Sequence, residues 1–79
     1  MKLEILTPDE RIFDGKVTSI SVPGTKGAFT ILHNHAPIIS TLTKGQIKIV
    51  PEGSKAETIS IEGGVIEVKK NTIIILADQ

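Results

Sequence analysis

The chain has 79 residues, no cysteine, and nine basic side chains balanced by nine acidic ones. That length fills one hydrophobic core, a single domain over residues 1–79, and buries only about 60–65% of the unfolded surface. A formal net charge of zero argues against a nucleic-acid binder, which carries a basic excess to neutralise phosphates, and the lack of thiols excludes disulfide frameworks and thiolate metal sites.

Isoleucine, valine and threonine dominate, and these β-branched residues favour a pleated surface over a helix. In chain order, "KLEILT" places Leu3, Ile5 and Thr7 on one face and Lys2 and Glu4 on the other, and Pro8-Asp9 ends it. "RIFDG" reads as a brief strand closed by a hairpin turn at Asp14-Gly15. "KVTSISV" sets Thr18, Ile20 and Val22 on one side, before a loop from Pro23-Gly24 to Gly27. "AFTIL" follows, then a histidine segment, then "IISTL" and "GQIKIV", in which Ile47 and Ile49 alternate with Gln46 and Lys48. After a polar loop at Pro51-Glu52-Gly53-Ser54, "ETISIE" turns Ile59 and Ile61 inward, and Gly63-Gly64 turns the chain into "VIEVKK", with Ile66 and Val68 together. "TIIILA", beyond Lys70-Asn71, has too many apolar neighbours for a one-sided strand and reads as buried on both faces.

No window sustains a 3.6-residue period, so no long helix is expected. Eight or more short strands with short connections predict an all-β sandwich or small barrel. Its core is expected to draw on Ile20, Val22, Ile31, Ile47, Ile49, Ile59, Ile61, Ile66, Val68, Ile73 and Ile75. The start "MKLEILTPDE" meets acidic residues too soon for a signal peptide. The longest apolar run, "IIILA", falls far short of the roughly 20 residues of a membrane helix. The expectation is a soluble, cytoplasmic chain whose membrane association comes through a partner.

Two stretches look like chemistry. "ILHNHAPII" holds both histidines, and at i and i+2 on a strand His33 and His35 would share a face. A structural zinc site wants four ligands and a catalytic one about three, and the nearest acids in sequence are distant. A turn whose polar side chains satisfy backbone groups is the better reading. Pro23-Gly24-Thr25-Lys26-Gly27 brings two glycines and a lysine together, but Lys26 precedes Gly27 and a strand follows. A phosphate loop needs Gly-Lys-Ser/Thr leading into a helix. No serine sits in a nucleophile elbow. With only Phe13 and Phe29 as aromatics, stacking on sugars or single-stranded nucleic acid is disfavoured. Binding to protein is the default. The alternative is a small metal- or ligand-binding module using His33 and His35.

The order of motifs says more than any one of them. "LEILTPDERIFDGKVTSISVPGTKGAFTIL", "HAPIISTLTKGQIKI", "GGVIEV" and "NTIIILAD" span almost the whole chain. Together they resemble the N-terminal β-sandwich domain of the epsilon-subunit family of bacterial F-type ATP synthases. The resemblance implies a flattened sandwich of about ten short, mostly antiparallel strands. It implies a non-catalytic subunit of the central stalk, or rotor, joining the gamma subunit to the membrane c-ring and helping to transmit torque during ATP synthesis. No cofactor, metal, nucleic acid or direct membrane insertion is implied. The location implied is peripheral, at the cytoplasmic face of the bacterial inner membrane.

By position, the ring-facing loops of the family fall on Gly24, Thr25, Lys26, Gly27, Ala28, Phe29 and Thr30, and on His33, Asn34, His35, Ala36 and Pro37. The sequence leaves the two at one end of the sandwich or, since a strand of about five residues spans roughly 17 Å, at opposite ends, and the resemblance favours convergence at one end. The sequence also departs from the family. Ala28 stands where the family has glutamate, Thr30 where it has glycine, and His33-Asn34 where it has proline and glycine. Loss of the glutamate removes one expected polar contact with the ring, whereas Asn34 can adopt the left-handed backbone that a glycine supplies. The family usually continues past "LAD" into a two-helix hairpin that can bind ATP and brake the motor. The sequence stops at Gln79, so neither ATP binding nor braking is expected of it.

Overall fold

The computed structural model describes Met1–Gln79 as eight strands and no helix. In chain order they are β1 (Lys2–Leu6), β2 (Arg11–Val22), β3 (Phe29–Ile31), β4 (Ile38–Leu42), β5 (Gly45–Pro51), β6 (Glu57–Ile61), β7 (Gly63–Lys69) and β8 (Thr72–Asp78). The fold is all-β, as the β-branched composition predicts, with eight strands where the resemblance implies about ten. Their order is β4-β7-β8-β1-β2-β5-β6, with β3 also on β2. Every pairing is antiparallel except β1 with β8, so the first and last strands lie side by side in mid-sheet.

Strand β2 joins two half-sheets. Residues from Arg11 to Lys16 pair with β1, while the stretch from Val17 to Val22 pairs with β5 and β3. The expected hairpin turn at Asp14-Gly15 is therefore absent. Asp14 and Gly15 lie opposite Glu4 and Leu3 in unbroken ladder, because β1 offers them a partner strand where a turn would leave backbone groups unpaired. A bulge between Val17 and Ser19 then slips the register. It turns Val17 and Ile20 inward, three residues apart, and leaves Thr18 exposed against the simple alternation.

One core of fifteen apolar residues lies between the half-sheets. It contains every residue expected there except Ile59, which is half-buried at its margin. Leu3, Ile5, Val17, Leu42 and Ala77 complete it, and no charged or polar side chain is buried. The two glycines at 63 and 64 do not form a turn. They open β7, and Glu62 alone connects it to β6. Strand β8 is one-sided, against expectation. Ile73, Ile75 and Ala77 are buried, whereas Ile74 is half-buried and Leu76 is 55% exposed.

Candidate functional site

The loop after β2 is tied to the end of β4. Gly24 bridges Leu42, Thr25 N–H donates to Thr41 O at 3.1 Å and Thr43 N–H to Pro23 O at 2.8 Å. The Thr25 and Thr41 hydroxyls lie 2.8 Å apart. Gly24 is buried, and a Cβ there would stand 2.6 Å from Gly27 O and 2.8 Å from the Phe29 ring. Only glycine lets that ring close over the base of the loop. Thr25, Lys26, Gly27 and Ala28 are exposed, while Phe29 and Thr30 belong to β3, with the Thr30 hydroxyl 2.8 Å from that of Ser21.

The histidine segment is a turn. His35 N–H donates to Leu32 O at 3.2 Å, and Asn34 takes φ 65°, the left-handed conformation its residue type allows. His35 Nδ1 lies 2.7 Å from Ala36 O, a distance at which the ring N–H donates to the carbonyl. His33, Ala36 and Pro37 are exposed. No three His, Asp or Glu side chains gather around a common point. Asn34 N–H donates to Asn71 Oδ1 at 3.1 Å, and Asn71 O accepts from Lys2 N–H at 2.9 Å. Asn71 thus links the histidine turn to the β7–β8 hairpin and to the start of β1.

The two loops do not converge. The first is held at the Leu42 end of β4, and the second enters β4 at Ile38. Five strand residues, about 17 Å, separate them. Chain direction decides this, since β4 runs from the histidine turn back toward the first loop.

The outward face of the half-sheet β4-β7-β8-β1 carries a surface that the motifs did not indicate. Strand alternation puts residues on it in cross-strand rows. One row runs Thr41, Val65, Leu76, Leu6 and Arg11, and the next Ile39, Glu67, Ile74, Glu4 and Asp14. Ile39 is 72% exposed, Leu76 55% and Val65 39%. Two open hollows of about 490 and 220 Å³ share Val65 and Leu76. Arg11 holds both nearby carboxylates, Glu4 at 2.9 Å and Asp14 at 3.4 Å. Contiguous apolar surface rimmed by charge is how a protein-docking site presents itself. The sequence signal for it was the unbroken apolar run of β8, which is apolar on its outward side as well.

The sequence profile described as "ATP synthase, Delta/Epsilon chain, beta-sandwich domain" matches residues 1–79. The chain is 45% identical over 78 residues to the ATP synthase epsilon chain of Leptospira borgpetersenii serovar Hardjo-bovis (strain JB197), covering 99% of this chain and 61% of that one. It is 38% identical over 77 residues to the ATP synthase epsilon chain of Chlorobium limicola, covering 98% of this chain and 88% of that one. It therefore spans under two-thirds of the Leptospira relative and most of the Chlorobium one. In fold it is similar to a chain of the Euglena gracilis mitochondrial ATP synthase (OSCP/F1/c-ring), with TM-score 0.87, 23% identity, and 98% of this chain and 49% of that chain covered. It is also similar to a chain of the Tetrahymena thermophila mitochondrial ATP synthase central stalk and c-ring, with TM-score 0.85, 21% identity, and 100% and 63% covered.

Proposed function

The chain belongs to the family of ATP synthase delta/epsilon-chain β-sandwich domains, and from that membership we propose that it acts as a non-catalytic subunit of the central stalk. It joins the gamma subunit to the membrane c-ring and helps carry torque between them. The observation that carries this reading is the unpartnered apolar face around Val65, Leu76 and Ile39, which we assign to gamma. Such a face is costly to leave in water and suits a long-lived protein contact.

The loop at residues 24–30 and the turn at residues 33–37 are the two candidates for the ring contact. Because they sit at opposite ends of β4, one of them makes the main contact and the other lies away from it. No helix is long and apolar enough to cross a membrane, and the proposed location is peripheral, on the cytoplasmic face of the inner membrane.

The test is capture of purified gamma by the full chain and by Leu76→Glu. The side chain is exposed, so the variant should fold, and a buried carboxylate at the interface should weaken capture by about tenfold or more. Equal capture by both proteins would remove gamma from this face. In the assembled motor, Lys26→Glu and His35→Ala made separately should identify the ring loop, as the one whose loss uncouples proton flow from synthesis while gamma stays bound.

A further inference from the structure

Below the two outward rows lies a third, Lys69, Thr72, Lys2 and Lys16, with Lys70 in the adjoining turn. All four lysines are exposed. Met1 and Val17 exchange both backbone hydrogen bonds, at 2.8 and 3.1 Å, so the next pair, Lys2 and Lys16, is of the narrow, non-bonded kind with Cα atoms about 4.5 Å apart. Like charges placed so are destabilising. None of these lysines has a carboxylate within 4.0 Å, since the ion pairs of the chain are those of Arg11 with Glu4 and Asp14 and of Lys44 with Glu62. Glu67 shares the face, two residues before Lys69, and pairs with none of them. The chain as a whole is neutral, so the row is a segregation of charge at one border of the apolar face.

We infer that the gamma surface seated on this face presents carboxylates opposite the lysine row, and that these charges steer and register its docking. The inference rests on the reading of gamma as the occupant. Rim charges act mainly on the association rate and its salt dependence. An anionic lipid surface is the other occupant a lysine row could take. Directly beside the lysines lie Glu67, which no cation holds, and Glu4 and Asp14, which Arg11 holds, so this border alternates in sign whereas a bilayer is uniformly negative. A protein surface can match stripes of opposite sign; a bilayer cannot.

Stopped-flow association of the full chain with purified gamma, from about 0.02 to 0.5 M salt, tests this. The variants are Lys2→Glu/Lys69→Glu and, as a control on the other half-sheet, Lys48→Glu, each checked for fold by circular dichroism. The expected result is a wild-type on-rate that falls steeply with salt, a double variant slower by about tenfold at low salt, an off-rate changed less than about threefold, and a control like wild type. Equal on-rates and salt slopes for wild type and double variant, with gamma still bound, would overturn the inference and leave the gamma reading standing. No gamma binding at any salt would overturn the gamma reading itself. Capture of the wild type by phosphatidylglycerol vesicles, lost in the double variant while the gamma on-rate is unchanged, would overturn the inference in favour of lipid.

Discussion

Gly64 sits where a side chain has no room. Its φ is 155°, and a Cβ would stand 2.4 Å from Leu76 O and 3.1 Å from Ala77 Cα, both backbone atoms of the paired strand. Gly64→Ala is therefore expected to lower stability by about 2–4 kcal/mol, from backbone strain plus displacement of β8, measured by urea denaturation. Asn71 acts differently. With Lys70 it forms a hairpin turn in which both residues have positive φ, 46° and 63°, and its side chain accepts from Asn34 N–H. Asn71→Gly keeps the turn and removes the acceptor, whereas Asn71→Asp keeps an oxygen. The glycine variant should speed exchange of the Asn34 amide about two- to tenfold, as loss of one hydrogen bond of about 0.5–1.5 kcal/mol requires. The aspartate variant should not. Hydrogen exchange read by NMR separates them, and equal exchange in all three proteins would show that the contact holds nothing.

Strand β8 has two different faces made of the same residue type. Ile75 is fully buried and Ile74 looks outward, half-buried. Ile75→Ala should cost about 2–5 kcal/mol, while Ile74→Ala should cost under about 1 kcal/mol and reduce gamma binding instead. Thermal melts paired with a binding assay check both halves of the statement. The same strand shows where the sequence stops informing. Alternation in β5 and β7 named Ile47, Ile49, Ile66 and Val68 as core, because polar residues between them mark the solvent side. In β8 apolar residues fill both sides, and periodicity cannot distinguish a face covered by the chain from one covered by a partner. In β2 the alternation was readable beyond the bulge at Val17–Ser19, where Ile20 and Val22 are core, but the bulge puts Val17 inside and Thr18 outside, and no residue type there announces the extra residue. The two loops were located as loops over residues 24–28 and 33–37, with Asn34 in its left-handed conformation, whereas Phe29 and Thr30 belong to β3. Their placement at opposite ends depends on strand direction, which lies outside any local pattern.

Across the molecule, β8 is the keystone of the pairing order. It stands between β7 and β1 and lends the core Ile73, Ile75 and Ala77. Deleting residues 72–79 would leave β7 and β1 each without a neighbour on one side and open the core. The shortened chain is expected to lose its cooperative melt and its β-sheet circular dichroism, and a retained melt would show that the remaining strands suffice. The intact chain should fold slowly for its size, in milliseconds to seconds by stopped flow, because β1 cannot pair with β8 until chain ends some seventy residues apart have met.

That parallel pairing also has a consequence for synthesis. Within the sandwich, β1 is the first strand to leave the ribosome and β8 the last. At about 5–20 residues per second, several seconds pass between them. During that interval the nascent chain can form the β1–β2 and β5–β6 hairpins, but the edge of β1 that belongs to β8 stays unpaired, along with one edge of β7. A growing polypeptide in that condition is open to chaperones and to pairing with its neighbours on a polysome. Closure is then a late, single event, timed by translation of the strand that carries Ile73 and Ile75.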